Sequence, residues 1–152
     1  LFIDLYVSSY NMNMFEPHGN YIVEANGNIL YVEAYGPWNL ESAVDFEQMV
    51  KSEVTNKLSK SYWAMVALIH GQGLYTPDAM PVINALHLWR IENGLRHIAI
   101  VLSKDPASGS TITEHQFNTI YKQTTNGECI SRYFYTKEEA YNWLETEGYS
   151  TS

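Results

Sequence analysis

The sequence predicts an α/β fold, in which an N-terminal hairpin opens a single mixed β-sheet and helices pack on it. Two strand-like segments flank the turn Asn26-Gly27-Asn28, and Asn and Gly tolerate the positive φ that tight hairpin turns require. The run Trp63–Ile69 is apolar without alternation, which is typical of a strand covered on both faces. Helical and strand patterns then alternate, which predicts the order β-β-α-β-α-β-α-β-α.

The first half of the chain predicts two strands, Tyr21–Ala25 and Ile29–Tyr35, because both are rich in β-branched and aromatic residues. A helix is predicted from Asn39 to Leu58, with Asn39 as its N-cap. The apolar run Trp63–Ile69 follows as a central strand.

The second half predicts a helix that Thr76-Pro77-Asp78 opens, with Thr76 as the cap, and that ends at Gly94. The next strand is predicted at His97–Leu102. Three further elements complete the chain: a short helix behind the capping box Thr113–Gln116, a strand at Cys129–Phe134, and a last helix behind the capping box Thr136–Glu139.

Composition excludes several classes of function. The 152 residues carry 9 Lys and Arg against 17 Asp and Glu, a net charge of −8. That balance opposes non-specific binding to DNA, RNA or anionic lipid, because such polyanions attract basic surfaces. The longest strictly apolar run has seven residues, too few to span a bilayer.

The patterned segments predict one domain over residues 14–152, with residues 1–13 as an N-terminal extension of uncertain status. Met12 and Met14 stand immediately before the first patterned segment, and the first residues lack the basic region of a signal peptide. Cys129 is the single cysteine, so no internal disulfide can form. We therefore expect a reducing, cytoplasmic location.

Several motifs taken together resemble the STAS superfamily, in particular the small bacterial SpoIIAA-like proteins. They are the opening hairpin, Gly36-Pro37-Trp38, Trp63–Ile69, Thr76-Pro77-Asp78, Ile98–Leu102 and the aromatic–acidic ending Tyr133–Leu144. The resemblance covers about residues 21–148 and implies a non-enzymatic regulatory domain. Members of this family dock on a partner through the loop and helix after the third strand, where a serine is phosphorylated.

In this chain the corresponding segment is Gly73–Met80. Asp78 matches the family aspartate, but Ala79 and Met80 stand where the hydroxyl residues should be. We therefore expect a protein-interaction module without the phosphoserine switch, whose partner is another protein or a second copy of the chain. The predicted partner-binding residues are His70, Gln72, Leu74, Tyr75, Thr76, Asp78 and Met80. Trp38 and Tyr75, in predicted loops, are the aromatic candidates for an interface.

Two alternatives remain open. The resemblance extends to Sec14-like lipid-binding folds, which implies a small lipophilic ligand held in an enclosed apolar pocket beneath a mobile helix. The other alternative is a hydrolase-type enzyme in which His70 and Asp78 converge in one cleft. No metal or cofactor is expected, because the histidines lack ligand spacing and there is no cysteine pair. His87, in the middle of a helix, is expected at the surface or half-buried, and Cys129 is expected to be a small buried apolar group.

Overall fold

The computed structural model describes residues 20–58, 60–70, 75–103, 114–119 and 127–152. Five strands in this part of the chain form one sheet in the order β1-β2-β3-β4-β5. The strands are β1 Asn20–Asn26, β2 Ile29–Tyr35, β3 Trp63–His70, β4 Leu95–Val101 and β5 Ile130–Phe134. β1 is antiparallel to β2, and the other neighbours are parallel. The predicted mixed sheet opened by a hairpin is confirmed.

Helices lie between and after the parallel strands as predicted. They are α1 Leu40–Lys57, α2 Met80–Glu92, the helical residues 114–119, called α3, and α4 Lys137–Thr146. None of these helices is both long and apolar enough to cross a bilayer.

Of the four predicted helix caps, two are confirmed and one is wrong, and the fourth, Thr113, lies outside the described residues. The side chain of Asn39 accepts from the N–H of Ser42 at 2.9 Å, and that of Thr136 accepts from the N–H of Glu139 at 3.2 Å. Thr76 does not cap α2, because residues 77–79 form a turn and the helix begins at Met80. The Thr76 hydroxyl instead donates to Asp78 Oδ1 at 2.6 Å.

The two faces of the sheet carry separate cores. On the first face, α1 and α2 cover alternate residues of β2, β3 and β4. Leu30, Trp63 and Ile98 are among these residues, and each is fully buried. The indole N–H of Trp63 donates to the Asn93 carbonyl at 2.8 Å, which ties the start of β3 to the end of α2.

α2 buries more polar groups on this first face than its pattern predicts. His87 is fully buried and Arg90 is 4% exposed, so the expectation of a surface or half-buried His87 is wrong. Burial, reinforced by the positive charge of Arg90, lowers the pKa of His87 to about 3. The imidazole is therefore neutral at physiological pH and packs as part of the core.

The second face carries a smaller core under α4. Ala140 and Leu144 of α4, with Tyr149 behind it, pack on Ile29 and Ala64 of the sheet and on their neighbours Val66 and Ala99. Ile29 and Ala64 lie at the amino ends of β2 and β3, and Val66 and Ala99 lie in the middle of β3 and β4. The carboxyl ends, where Tyr35 and His70 pair across β2 and β3, lie beyond this core.

The outer edge of β1 is partly closed by α1. The N–H of Ala25 donates to Glu53 Oε2 at 2.9 Å, and Glu53 also pairs with Lys57 at 3.2 Å. This hydrogen bond engages a backbone N–H with which an additional strand could otherwise pair at the edge of the sheet.

The junction between α2 and β4 generates a stability prediction. Gly94 has φ +109°, and a Cβ there would lie 2.7 Å from the Ser61 carbonyl oxygen and 3.1 Å from the Trp63 ring. Gly94→Ala should lower the free energy of unfolding by about 2 kcal/mol or more, through backbone strain and a clash with backbone.

Gly148→Ala is the matched control, because Gly148 follows α4 with φ +100° but a Cβ there would meet nothing within 4 Å. Urea denaturation of both variants measures the difference. Equal losses in the two variants would mean that the close approach of Ser61 and Trp63 costs nothing.

Candidate partner-binding surface

The predicted site residue His70 lies at the carboxyl end of β3, the middle strand of the sheet. Its side chain is 41% exposed, and it pairs in register with Tyr35 of β2. The carboxyl ends of parallel strands are where open α/β sheets commonly present ligand-binding groups. The predicted position of His70, at the end of a central strand, is thus confirmed.

His70 is part of a hydrogen-bonded cluster that centres on Glu33. His70 Nε2 lies 2.7 Å from Glu33 Oε2, and the Tyr35 hydroxyl donates to the same oxygen at 3.0 Å. The Tyr31 hydroxyl donates to Glu33 Oε1 at 2.8 Å. We call Tyr31, Glu33, Tyr35 and His70 the Glu33 cluster.

The hydrogen bonds decide the ionisation of this cluster. The bond from Tyr31 foremost, with those from Tyr35 and His70, lowers the pKa of Glu33 against the opposing effect of burial. Burial and the bond to Glu33 raise the pKa of Tyr31, and the bond to Glu33 raises that of Tyr35. Glu33 is therefore a carboxylate at neutral pH, and both tyrosines keep their hydroxyl protons.

An ionised carboxylate accepts hydrogen bonds and cannot donate them. The proton between Glu33 and His70 is therefore carried by His70 Nε2, which makes Nδ1 an acceptor whenever the imidazole is neutral. The Tyr35 and His70 rings stack with centroids 4.5 Å apart and planes 12° apart. The cluster thus holds His70 in one tautomer and one orientation.

A shallow groove of about 330 Å³ adjoins the cluster at His70. Its floor is mostly apolar and its rim carries a hydroxyl and an exposed phenol. The lining residues are Leu68, Ile69, His70, Val101, Leu102, Ser103 and Tyr135. We call this the strand-end groove; its volume suits one large side chain of a partner or a small molecule.

The other predicted partner-binding residues do not all share this surface. Gln72 and Leu74 lie outside the described residues. Thr76 and Asp78 are exposed and bond to each other, and Met80 is half-buried at the start of α2. These side chains lie after β3, as predicted, but none of them contacts the Glu33 cluster through a described hydrogen bond.

The two aromatic interface candidates, Trp38 and Tyr75, pack inward. Trp38 is 3% exposed, so the expectation that this side chain is available to an interface is wrong. Tyr75 is half-buried, and its ring packs edge-on against Trp38 and Phe117, each at 5.9 Å between centroids. Gln116 Oε1 accepts from the Tyr75 N–H at 3.2 Å, which ties this segment to α3.

The same aromatic side chains border a small cavity between the sheet and α2. It is lined by Val32, Ala34, Trp38, Phe46, Met65, Ala67, Ile69, Tyr75, Ile83, Arg90 and Phe117, and its volume is about 30 Å³. A space of that size holds about one water molecule. The enclosed pocket that a lipophilic ligand requires is not formed there.

The pairing of His70 with Asp78 in one cleft is not seen among the described contacts. The carboxylate beside His70 is Glu33, and Asp78 accepts from the Thr76 hydroxyl. The described residues also contain no cluster of three or more His, Cys, Asp or Glu side chains suited to a metal ion.

Sequence reasoning found His70 but missed Tyr31, Glu33 and Tyr35. A signal was present, because these three residues alternate along a segment that was predicted as a strand. Alternate residues of a strand lie on one face, so the spacing places a carboxylate between two phenols. Their contact with His70 required the pairing of β2 with β3, which the sequence does not specify.

The comparisons with known proteins concern the fold. No protein-family model matches the chain, and a search of the curated proteins finds no significant relative. Among solved structures, the chain is similar to an uncharacterized protein of the DUF3478 family from Shewanella loihica PV-4, described as having a SpoIIAA-like fold. The match has a TM-score of 0.58 at 18% identity and covers 88% of this chain and 99% of that one. The chain therefore has a SpoIIAA-like fold, as the sequence resemblance implied.

The Glu33 cluster predicts how stability depends on pH. The pKa of Glu33 lies below its ordinary value in the folded protein, so its ionised form stabilises the fold above the pKa of the unfolded chain. That contribution is lost as the pH falls through the lower folded pKa. Glu33→Gln should reduce stability by about 1 kcal/mol at pH 7, and the deficit should shrink as the pH falls through the lowered folded pKa of Glu33.

Chemical denaturation between pH 7 and pH 3 measures this effect. The control is Glu24→Gln, which removes an exposed carboxylate from the neighbouring strand β1. Glu24 pairs in register with Tyr31, which lies two residues before Glu33 on β2. A deficit for Glu33→Gln that stays constant with pH would show that the carboxylate is not held ionised by its neighbours.

The single cysteine predicts low thiol reactivity. Cys129 is 7% exposed, and burial raises the pKa of its thiol to about 11. Because the thiolate is the reactive form, Ellman's reagent at pH 8 should label the folded protein at least about tenfold more slowly than the unfolded chain. Equal labelling rates would contradict the buried placement.

Proposed function

We propose that this chain is a non-enzymatic protein-interaction domain that docks a partner at the carboxyl end of its central strands. The proposed surface comprises the Glu33 cluster, the strand-end groove and the exposed residues Thr76 and Asp78. The observation that carries the proposal is the stacked pair Tyr35 and His70, which are 42% and 41% exposed and yet both hydrogen-bonded to Glu33.

Pre-orientation favours this role, because side chains that are already fixed lose little entropy on binding. Tyrosine is enriched at the energetic centres of protein interfaces, where a ring provides contact area and a hydroxyl provides polarity. Tyr135, 60% exposed at the rim of the strand-end groove, extends the same kind of surface.

The proposed docking does not use a phosphoserine switch. Ala79 is fully buried and Met80 begins α2, so the positions that correspond to the family's hydroxyl residues carry no group that accepts phosphate. Recognition by constitutive contacts is therefore the proposed mode. The buried thiol of Cys129 fits a reducing compartment, and we propose that the protein acts in the cytoplasm.

A carrier of a lipophilic ligand is less well supported. The cavity beneath α2 holds about 30 Å³, whereas sites that enclose drug-sized ligands have roughly 300 Å³ or more. An enzyme that uses His70 with Asp78 lacks the contact between the two residues. The exposed, hydrogen-bonded groups of the Glu33 cluster support the proposal of a docking surface.

Site-specific photocrosslinking in the source cells tests the proposal. The photoreactive residue p-benzoylphenylalanine replaces Tyr135 at the groove in one variant and Leu88 in the other. Leu88 is the control, because it is 45% exposed on α2, on the opposite face of the sheet. A partner captured from position 135 and absent from position 88 is then purified, and its affinity is measured with the wild type and with His70→Ala.

We expect His70→Ala to weaken that affinity by about tenfold or more with little change in melting temperature, since the side chain is half exposed. Thr76→Ala should weaken it less. Capture of the same protein from both positions, or an unchanged affinity of His70→Ala, would contradict docking at this surface. Capture of a second copy of the chain would show that the chain forms a homodimer through this surface.

A further inference from the structure

We propose that the Glu33 cluster and the strand-end groove together receive an arginine side chain of the partner protein. This inference rests on the proposed docking function and names the chemistry of the residue that the surface recognises.

The acceptor atoms of the cluster are incompletely used by the described residues. A carboxylate offers about four acceptor positions, and Glu33 accepts two described hydrogen bonds at Oε2 and one at Oε1. Neutral His70 adds Nδ1 as an acceptor. Donors of the cluster are already engaged, since both tyrosine hydroxyls and His70 Nε2 point to Glu33. The surface therefore suits a ligand that only donates, which is the property of a guanidinium or an ammonium group.

The aromatic surface of this face already receives the chain's own cations. Lys137 Nζ lies 4.9 Å from the centre of the Tyr31 ring, and Arg132 lies 5.3 Å from the Phe134 ring and 5.4 Å from the Trp143 ring. Tyr35 stacks on His70 and, among the described residues, no such cation contact is found for it. Its exposed ring is thus a position where a planar cation can stack.

The charge of the surface matches a basic partner. The chain has a net charge of −8, and no Lys or Arg forms an ion pair with Glu33 among the described residues. The pKa of Glu33 is lowered, so this carboxylate keeps its charge at neutral pH. Glu33 therefore offers a charged acceptor, and the net negative charge of the chain attracts an approaching cation, although Lys137 and Arg132 lie on the same face.

The strand-end groove offers a binding place for the aliphatic part of the arginine side chain. Its floor contains Leu68 and Val101, and its volume is about 330 Å³. The aliphatic stem of an arginine can lie on such a floor while the guanidinium reaches the carboxylate. The planar guanidinium both stacks and donates in a fixed geometry, which favours arginine over lysine.

The test uses the full chain and defined peptides. Two-dimensional amide NMR spectra follow titrations with acetyl-Gly-Leu-Arg-Leu-Gly-amide, with the peptide in which citrulline replaces the arginine, and with the lysine peptide. Citrulline keeps the shape and removes the charge. We expect the arginine peptide to shift the amides of Tyr35, His70 and Val101, and to bind about tenfold more tightly than the citrulline peptide.

Two protein variants complete the test. Glu33→Gln should weaken binding of the arginine peptide by about tenfold, whereas Glu24→Gln, which removes the same charge from the same side of the sheet, should change it by less than about twofold. Tyr35→Leu keeps the carboxylate and removes the stacking ring, and it should weaken binding several-fold. This variant decides the question if Glu33→Gln does not fold.

The proposal is overturned if the citrulline peptide binds as tightly as the arginine peptide, or if Glu33→Gln and Glu24→Gln weaken binding equally. Equal binding of the lysine peptide overturns the assignment to arginine. Failure of these titrations, with photocrosslinking from position 135 still successful, would leave the docking function standing and remove the arginine from it.

Discussion

The connections between neighbouring parallel strands determine which face of this sheet is covered. β2, β3 and β4 lie side by side in chain order, and right-handed crossovers between such strands place their helices on the same face. α1 and α2 therefore share the first face, and α4 provides the described helical cover of the second. A helix about 10 Å across cannot cover five strands that together span about 19 Å. Among the described residues, part of the second face therefore has no helical cover.

The part of the second face without helical cover carries the carboxylate of Glu33, which is partly removed from water. A half-buried carboxylate is costly unless hydrogen bonds replace the water that it loses. Glu33 receives these bonds from Tyr31 and Tyr35 of its own strand and from His70 of the next. The same bonds orient the tyrosines and the imidazole. These side chains are consequently positioned by bonds within the chain, although their rings are partly in water.

Local sequence signals predicted the elements well because each has a local cause. Asn26-Gly27-Asn28 forms the hairpin turn, with Gly27 at φ +59°, and Thr136 caps α4. The predictions failed where the conformation depends on contacts with residues far away in the sequence. Thr76 looks like a cap, but its N–H donates to the Trp38 carbonyl at 2.9 Å in a bridge between segments far apart in the chain. The Glu33 cluster likewise depends on the register of β2 against β3, which no local pattern contains.

The distribution of free volume and of ordered polar groups favours recognition of a partner at the surface over capture of a ligand inside. On the first face, rings such as Trp38, Tyr75 and Phe117 fill the space beneath α2 and leave a cavity of about 30 Å³. On the second face, the strand-end groove offers about 330 Å³ beside His70. Opening the first face would break packing among these rings, whereas the groove is accessible without any rearrangement. In the proposed docking mode, a partner that approaches the carboxyl ends of the strands would meet contacts that are already assembled.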